Sequence, residues 1–376
     1  MNKQEKQKQK QKQAQIRTKT QTEFSSNAIW LSLREWLIAA GIIVVMAFSL
    51  PPVWQNVEPL SSQIDFRIPY DLSEDYWLFK KYSRSVCDQE KILVIGDSVV
   101  WGHYVGRDQT LSHHLNEFAG EEQFVNLGLD GTHPMALYGL IRFYGKAVKE
   151  EIVILHMNLL WLSSPDSDLQ TDKEFQFNHS RLVPQFRPRI PCYTESASGR
   201  IGIVLERILP LLQLARHIQV TDFDNTDLPL WTVENPYTNP LGRISIKPQG
   251  RVKEKERVIQ SEAELKSKRA SVLQSLPWVE FETSLQWWAF EKLLELLKSR
   301  GNDVLVVAGP LNEHVLTPQS IQKYKALLSK AENRIEQMNV PYLHLPLLPD
   351  HLYADTSHPQ GEGYGILAEY IWNRLK

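Results

Sequence analysis

The amino-acid sequence predicts an α/β fold in which a parallel β-sheet carries helices on both faces. Short apolar runs that end in turns recur along the chain, as the buried strands of a parallel sheet do. Segments with apolar residues at helical spacing separate these runs, and strands that alternate with helices are typical of parallel sheets. The composition, with 42% hydrophobic and 23% charged residues, is that of an ordinary globular protein.

The predicted elements follow one another in a regular order over two parts of the chain. The predicted strands occupy residues 91–98, 123–131, 150–158, 302–310 and 341–346. The predicted helices occupy residues 108–120, 134–149, 284–299, 318–338 and 361–375. Residues 60–90, which precede the first strand, show no clear period. The alternation places the α/β domain at residues 91–376.

Residues 163–280 interrupt this alternation. They are rich in Pro, Asp, Asn and aromatic residues, and we interpret them as an insertion or a small lid-like subdomain. Their later part, 251–275, is highly charged and is predicted to be a helix. The apolar stretch 201–218 suggests a second membrane span, but its charged side chains, Glu206 among them, would be costly in lipid. We therefore expect a buried or membrane-lying amphipathic helix there.

The charge and the cysteine content exclude several classes of protein. The 42 Lys and Arg residues nearly balance the 44 Asp and Glu residues, and the net charge of −2 does not suit a nucleic-acid binder, which needs a positive field. A mean hydropathy of −0.33 excludes a polytopic membrane protein. Two cysteines, Cys87 and Cys192, cannot build a disulfide-rich scaffold or a four-thiolate zinc site. An oxidising compartment would permit these two to pair, and two separate thiols are equally compatible.

The N-terminal part predicts a tail followed by a membrane anchor. Residues 1–28 are a low-complexity Lys/Gln segment, which we expect to be disordered within a cytoplasmic tail at 1–35. Residues 36–54 contain no charge and are just long enough to cross ~30 Å of hydrocarbon. Because Lys and Arg crowd the amino side, the positive-inside rule places the body outside the cytoplasm, in the periplasm of a Gram-negative cell. A cleaved signal peptide and a buried helix are the alternatives, and residues 55–90 lead into the body.

Polar residues suited to catalysis follow four of the predicted strands. In chain order they are Ser98; Asn126, Gly128 and Gly131; Asn158; and Asp355 with His358. The carboxyl ends of parallel strands share one edge of a sheet, and sites form at that edge. We therefore expect these residues, which lie far apart in sequence, to converge there.

A serine, a histidine and a carboxylate at one edge predict nucleophilic catalysis. A serine hydroxyl is a weak nucleophile until a base removes its proton, and His358 is the natural base for Ser98. Asp355 would fix the tautomer of His358 and stabilise the imidazolium. The backbone N–H groups of Ser98 and Gly131 and the side-chain amide of Asn158 would form an oxyanion hole. Gly128 is the alternative to Gly131.

Several neighbouring residues have simpler interpretations. Asp97 is expected to accept hydrogen bonds in the turn rather than to take part in catalysis. His103 and His156 lie near the predicted edge, where contact with substrate is conceivable but packing or ordinary hydrogen bonding is expected. His113 and His114 point about 100° apart on a helix, and no metal site is expected from them.

These segments resemble the sequence blocks of the SGNH, or GDSL-type, hydrolase superfamily. The first block, G-D-S-x-x-x-G, is similar to residues 96–102, and the last, D-x-x-H-P, is similar to residues 355–359. The second block ends in a glycine, here Gly131, and the third supplies an asparagine, here Asn158. Many relatives read G-x-N-D in the third block, whereas residues 156–159 read HMNL.

The resemblance covers about 91–160 and 302–376, and it implies both a fold and an activity. The fold is a flavodoxin-like three-layer α/β/α sandwich with about five parallel strands in the order 2-1-3-4-5. The activity is that of a serine esterase with an acyl-serine intermediate and without a cofactor. The anchor and the insertion look more like members that act on cell-envelope polysaccharides. One alternative is therefore an O-acyltransferase, supplied by a membrane acyl-donor partner, and another is an inactive scaffold that binds glycan or a membrane partner.

Overall fold

The computed structural model describes residues 31–60, 67, 72–87, 89–246 and 273–376. The predicted disordered segment at 1–28 and all but the last three residues of the predicted helix at 251–275 lie outside these residues. The chain divides into two compact units, residues 1–50 and residues 51–376.

The second unit is built on a five-stranded parallel sheet. Its strands are β1 Ile92–Gly96, β2 Phe124–Gly128, β3 Ile152–Met157, β4 Asp303–Ala308 and β5 Tyr342–His344. Their order across the sheet is 2-1-3-4-5, and all neighbouring strands are parallel. The predicted strand order is confirmed. Because β1 lies between β2 and β3, the chain reverses its direction of travel across the sheet at β1, where crevices form.

Helices cover both faces of this sheet. The α-helices of the described residues are α1 Leu33–Val57, α2 Tyr76–Val86, α3 Ser98–Trp101, α4 Leu111–Ala119, α5 Pro134–Phe143, α6 Ala197–Ile208, α7 Pro210–Asp222, α8 Leu228–Glu234, α9 Leu285–Ser299, α10 Pro318–Gln337 and α11 Gly361–Leu375. Helix α5 is shorter than its prediction. The N–H groups of Tyr144 and Gly145 both bond to the carbonyl of Leu140, which ends the regular ladder after Phe143.

Two apolar layers hold the sandwich together, one on each face of the sheet. In β1, Leu93 and Ile95 point into one layer and Val94 points into the other, as the two-residue period of a strand requires. Helices α2, α5, α9 and α10 fill the first layer, and α3, α4 and α11 fill the second. Since all three side chains are fully buried, the sheet has no solvated face along β1. The chain is therefore a three-layer α/β/α sandwich.

The segment that the sequence analysis left without a period contains helix α2. Its side chains Tyr76, Trp77, Leu78 and Phe79 are almost completely buried. Asp75 begins the helix by accepting a hydrogen bond from the N–H of Leu78. Four successive buried side chains have no single-face period, which explains why the pattern did not predict this helix.

The insertion between β3 and α9 is joined to the sandwich by a buried carboxylate. Asp168 accepts hydrogen bonds from the Ser284 hydroxyl and from the N–H groups of Leu285 and Gln286. Ser284 is the N-cap of α9 and the two N–H groups belong to its first turn, so an insertion residue satisfies backbone donors that the helix itself cannot. Burial raises the pKa of Asp168, and these donors oppose that rise.

The apolar stretch 201–218 is not one helix, so its predicted extent is wrong. Helices α6 and α7 meet at Leu209, which is extended, because Pro210 cannot continue the hydrogen-bond ladder of α6. On α6, Ile203 is buried, whereas Ile201 and Ile208 are exposed. The stretch is amphipathic, as expected, but its exposed side is also partly apolar. Among the described residues, α1 is the one helix long and apolar enough to cross a membrane.

The two cysteines are separate buried thiols in this structure. Cys192 donates a hydrogen bond to the carbonyl of Leu169. Of the two arrangements that the sequence left open, the structure holds the one without a disulfide.

Candidate active site

The turn after β1 positions the predicted nucleophile. Ser98 is the first residue of α3, and Asp97 caps that helix by accepting a hydrogen bond from the N–H of Val99 at 3.0 Å. A serine at this position presents its hydroxyl at the carboxyl edge of the sheet. The N–H of Ser98 also lies in the first turn of the helix, where no intrahelical carbonyl can reach it.

His358 brings the C-terminal segment to this serine. Its Nε2 atom lies 2.8 Å from the Ser98 Oγ atom, although the two residues are 260 positions apart. Its Nδ1 atom lies 2.8 Å from both carboxylate oxygens of Asp355. Because a carboxylate only accepts, Nδ1 carries the proton and Nε2 is free to accept one from Ser98. The structure therefore brings all three residues together in a hydrogen-bonded series.

Asp355 is itself held in place by backbone groups. Its Oδ1 atom accepts hydrogen bonds from the N–H groups of Ser357 and His358, each at 2.9 Å. Burial opposes ionisation of this carboxyl, but the hydrogen bonds and the charge of His358 lower its pKa below the usual value. Burial likewise opposes protonation of His358, and the Asp355 carboxylate nevertheless raises the pKa of that imidazole, with smaller contributions from Asp97 and Asp130. The pair is thus a carboxylate beside a strengthened base.

Asp97 accepts hydrogen bonds from residues that follow β3. The Asn158 Nδ2 atom and the Trp161 Nε1 atom donate to its Oδ2 atom at 2.9 and 3.1 Å. The His156 Nδ1 atom lies 3.2 Å from its Oδ1 atom. Although burial would raise the pKa of Asp97, His156 and Asn158 lower it to about 2. The carboxylate accepts hydrogen bonds in the turn, as its sequence interpretation expects.

Asn158 keeps one donor available. Its Oδ1 atom accepts from the N–H of Leu160 at 3.0 Å, and one of its two amide hydrogens goes to Asp97. A carboxamide has two N–H donors, and no residue within the described ranges is hydrogen-bonded to the second. The residue is oriented from both ends, and its oxyanion role remains a prediction.

Gly128 at the end of β2 and Gly131 shortly after it are glycines for different structural reasons. Gly128 packs against the backbone of α3, and a Cβ atom there would collide with the amide nitrogen of Trp101. Gly131 has φ +69°, a conformation that favours glycine, and a Cβ atom would collide with Leu72. Asn126 spans the same region, donating to the carbonyl of Val100 and accepting from the N–H of Gly128. Gly128 therefore has a packing role, and the oxyanion role of Gly131 remains a prediction.

Beside His358 the sequence analysis missed Asp130 and Tyr104, and it expected only packing or ordinary hydrogen bonding of His103. The imidazole of His103 lies 2.7 Å from an oxygen of Asp130, and its ring centre is 5.4 Å from that of His358. The ring of Tyr104 lies edge-on to both imidazoles, at 4.3 and 5.4 Å. Asp130 precedes Gly131 at the end of the second predicted strand. This position was the one feature of the sequence that could have placed Asp130 at the site. Tyr104 has φ +57°, a conformation that no pattern in the sequence predicts.

The two adjacent histidines of α4 lie elsewhere. His113 and His114 both approach Glu117, at 3.7 and 2.7 Å. Within the described ranges no group of three or more His, Cys, Asp or Glu residues is arranged to hold a metal ion.

Comparisons with known proteins give a structural likeness and no family for this chain. No protein-family model matches the chain, and no curated protein matches it. Twelve solved chains match in structure. One is from Desulfitobacterium hafniense DCB-2, provisionally described as a lipolytic protein of the G-D-S-L family; it is 12% identical, with a TM-score of 0.37 over 76% of this chain and 99% of that chain.

Proposed function

We propose that this protein is a serine esterase of the SGNH type that works through an acyl-serine intermediate. The observation that carries the proposal is the hydrogen-bonded series from Ser98 through His358 to Asp355, with both links at 2.8 Å. This is the arrangement that activates a serine hydroxyl in acyl transfer. The order of the strands supports the proposal, because it places all three groups at the carboxyl edge of one sheet.

The proposed reaction begins at the Ser98 hydroxyl. His358 Nε2 takes the hydroxyl proton while Oγ attacks the ester carbonyl, which forms a tetrahedral oxyanion. Collapse of this intermediate breaks the bond to the alcohol, and His358 returns the proton to the departing oxygen. Water then attacks the acyl-serine by the same route and releases the acid. Asp355 stabilises the imidazolium that exists between these transfers.

The proposed oxyanion donors are the N–H groups of Ser98 and Gly131 and the remaining amide N–H of Asn158. Loss of one such donor typically lowers the rate by about 10²–10³-fold. The third block lacks the glycine and the acidic residue of many relatives. Asp97 and Leu160 orient the Asn158 amide here, which supports its role despite that difference.

We also propose that α1 anchors the catalytic body outside the cytoplasm. Over residues 33–50 most of its apolar side chains are exposed, among them Leu37, Ile43 and Phe48. Such a surface suits lipid better than water. A single-cysteine variant in the body, tested with a membrane-impermeant maleimide on intact cells, checks this orientation. Labelling only after the cells are broken would contradict it.

The test of the activity is covalent labelling of the full chain in detergent with a fluorophosphonate. We expect the wild type and a Ser299→Ala control to be labelled and the Ser98→Ala variant to remain unlabelled, because only an activated serine reacts. Peptide mass mapping should place the adduct on Ser98. An unlabelled wild type would contradict the proposal and favour an inactive scaffold that binds glycan or a membrane partner.

An O-acyltransferase would share the first half of this reaction, since an acyl-serine passes its acyl group to a sugar hydroxyl as it does to water. Incubation of the acylated protein with and without oligosaccharides separates the two activities. Release of free acid at the same rate in both supports the esterase. Appearance of an acylated oligosaccharide supports the transferase.

A further inference from the structure

We propose that His103, held by Asp130, binds a hydroxyl group next to the ester, so that the site takes esters of polyhydroxylated compounds such as sugars. This inference rests on the proposed esterase function and names its substrate class. The chemistry that would recognise the substrate is a second imidazole, placed beside the catalytic one. It plays no part in the proton transfers described above.

The Asp130 carboxylate is fixed from several directions. It is 1% exposed, and its Oδ1 atom lies 2.7 Å from His103 Nδ1. Its Oδ2 atom accepts a hydrogen bond from the N–H of Leu72 at 3.3 Å. Its backbone carbonyl lies 2.7 Å from the Nε2 atom of His179. A carboxylate held in this way sets the orientation of the imidazole that it binds.

This contact determines what His103 can offer to a ligand. Because Asp130 accepts at Nδ1, the proton of a neutral His103 lies on that nitrogen, and Nε2 presents a lone pair. The side chain is 31% exposed, and none of the residues that the structure describes is seen to bond its Nε2 atom. A hydroxyl group, which both donates and accepts, is matched to this nitrogen whether or not the ring is protonated.

The two imidazoles of the site make the same contact through Nδ1 and different contacts through Nε2. His358 and His103 each lie within 2.8 Å of a carboxylate through Nδ1. The Nε2 atom of His358 is hydrogen-bonded to the Ser98 hydroxyl, whereas no described residue is hydrogen-bonded to that of His103. With 5.4 Å between the ring centres, one small substrate can reach both rings.

Tyr104 is an independent observation that favours a sugar. The residue is 37% exposed, and its ring stands edge-on to both imidazoles. Its φ of +57° is a conformation that a tyrosine adopts only at a cost, and such strain is concentrated at functional sites. An aromatic face beside hydrogen-bonding groups is a surface on which the C–H groups of a sugar ring can pack.

The experiment compares two esters on the full chain in detergent, an acetylated methyl glucoside and 4-nitrophenyl acetate. We expect His103→Ala to lower kcat/KM for the glucoside about three- to tenfold more than for the simple ester, as loss of one neutral hydrogen bond would. The excess should lie mainly in KM. His103→Gln, which keeps a hydrogen-bonding group, should recover most of it, and His113→Ala should change neither ester.

The possible outcomes separate the two proposals. Equal losses on both esters, or no loss on the glucoside, would overturn the role of His103 while Ser98 remained reactive. Failure of the wild type to hydrolyse either ester, together with an unlabelled Ser98, would overturn the esterase itself. If His103→Ala did not fold, the His103→Gln and Asp130→Asn variants would carry the same comparison, with equal effects on both esters again as the contrary result.

Discussion

Two histidines of this protein make almost the same first contact and differ in the second. His358 has Asp355 at 2.8 Å from Nδ1 and the Ser98 hydroxyl at 2.8 Å from Nε2. His217, on α7, has Asp75 at 2.9 Å from Nδ1 and Glu58 at 2.8 Å from Nε2. One imidazole therefore joins a carboxylate to a hydroxyl, and the other joins two carboxylates.

The second contact decides whether the ring can transfer a proton. His217 and both of its carboxylates are at most 1% exposed, and Lys81 lies 3.3 Å from Glu58. Although burial opposes protonation, Asp75 and Glu58 raise the pKa of His217 to about 10. This ring is an imidazolium across the neutral range. It links α7 to Asp75, which caps α2, and to Glu58, which follows α1. His358 has one carboxylate partner and a hydroxyl, so it can be neutral and accept a proton.

Replacement of His358 gives the largest contrast between the two sites. We expect His358→Ala to lower kcat by about 10⁴-fold or more, because the nucleophile loses its base. The melting temperature should remain close to that of the wild type, since the ring touches only groups at the edge of the sheet. Esterase assays and thermal unfolding in detergent test both statements. A variant that kept a tenth of the activity would contradict the assignment of the base.

Replacement of His217 should do the reverse. We expect His217→Ala to lower the free energy of unfolding by about 3–5 kcal/mol, because two buried carboxylates lose the charge between them. Enzyme that remains folded should keep its kcat. Denaturant unfolding monitored by tryptophan fluorescence measures the effect, with the exposed His351→Ala as the control within about 0.5 kcal/mol. A stability equal to that of the control would show that the carboxylates are compensated in another way.

The pH dependence of stability tests the charge of His217 without removing its ring. The pKa of His217 is about 10 in the folded chain and about 6.5 in the unfolded chain. Its contribution is therefore complete below pH 6.5 and is lost as the pH rises towards 10, with a slope of up to about 1.4 kcal/mol per pH unit. We expect the melting temperature of the wild type to fall over this range more steeply than that of His217→Gln. Parallel curves for the two proteins would contradict a charged His217.

The sheet and the hydrogen-bonded series from Ser98 to Asp355 could be predicted because their signals are local. Each strand is a short apolar run. Ser98 lies in a motif directly after β1, and His358 lies in a motif on the segment that follows β5. The parallel topology then brings these motifs together, since all strands present their carboxyl ends at one edge. The distance of 260 residues between the two side chains needed no pairwise signal.

The other clusters could not be predicted because each depends on partners that share no pattern. Glu58, Asp75 and His217 come from three segments up to 159 residues apart, and none lies in a motif. Asp130 could be placed at the edge of the sheet, but its partner His103 is determined by the path of the loop after α3. Tertiary packing determines which polar residues pair over long distances, and hydrophobic periodicity predicts only secondary structure.

The position of His358 in the chain also determines when Ser98 can meet its proposed base during biosynthesis. Ser98 leaves the ribosome 260 residues before His358, which at 5–20 residues per second is roughly 13–52 s. During this interval the first three strands can already pair, yet the serine has no base. If Ser98 is the nucleophile that we propose, a nascent or truncated chain would meet acyl esters without being acylated by them. Reactivity would arrive with the segment that carries His358.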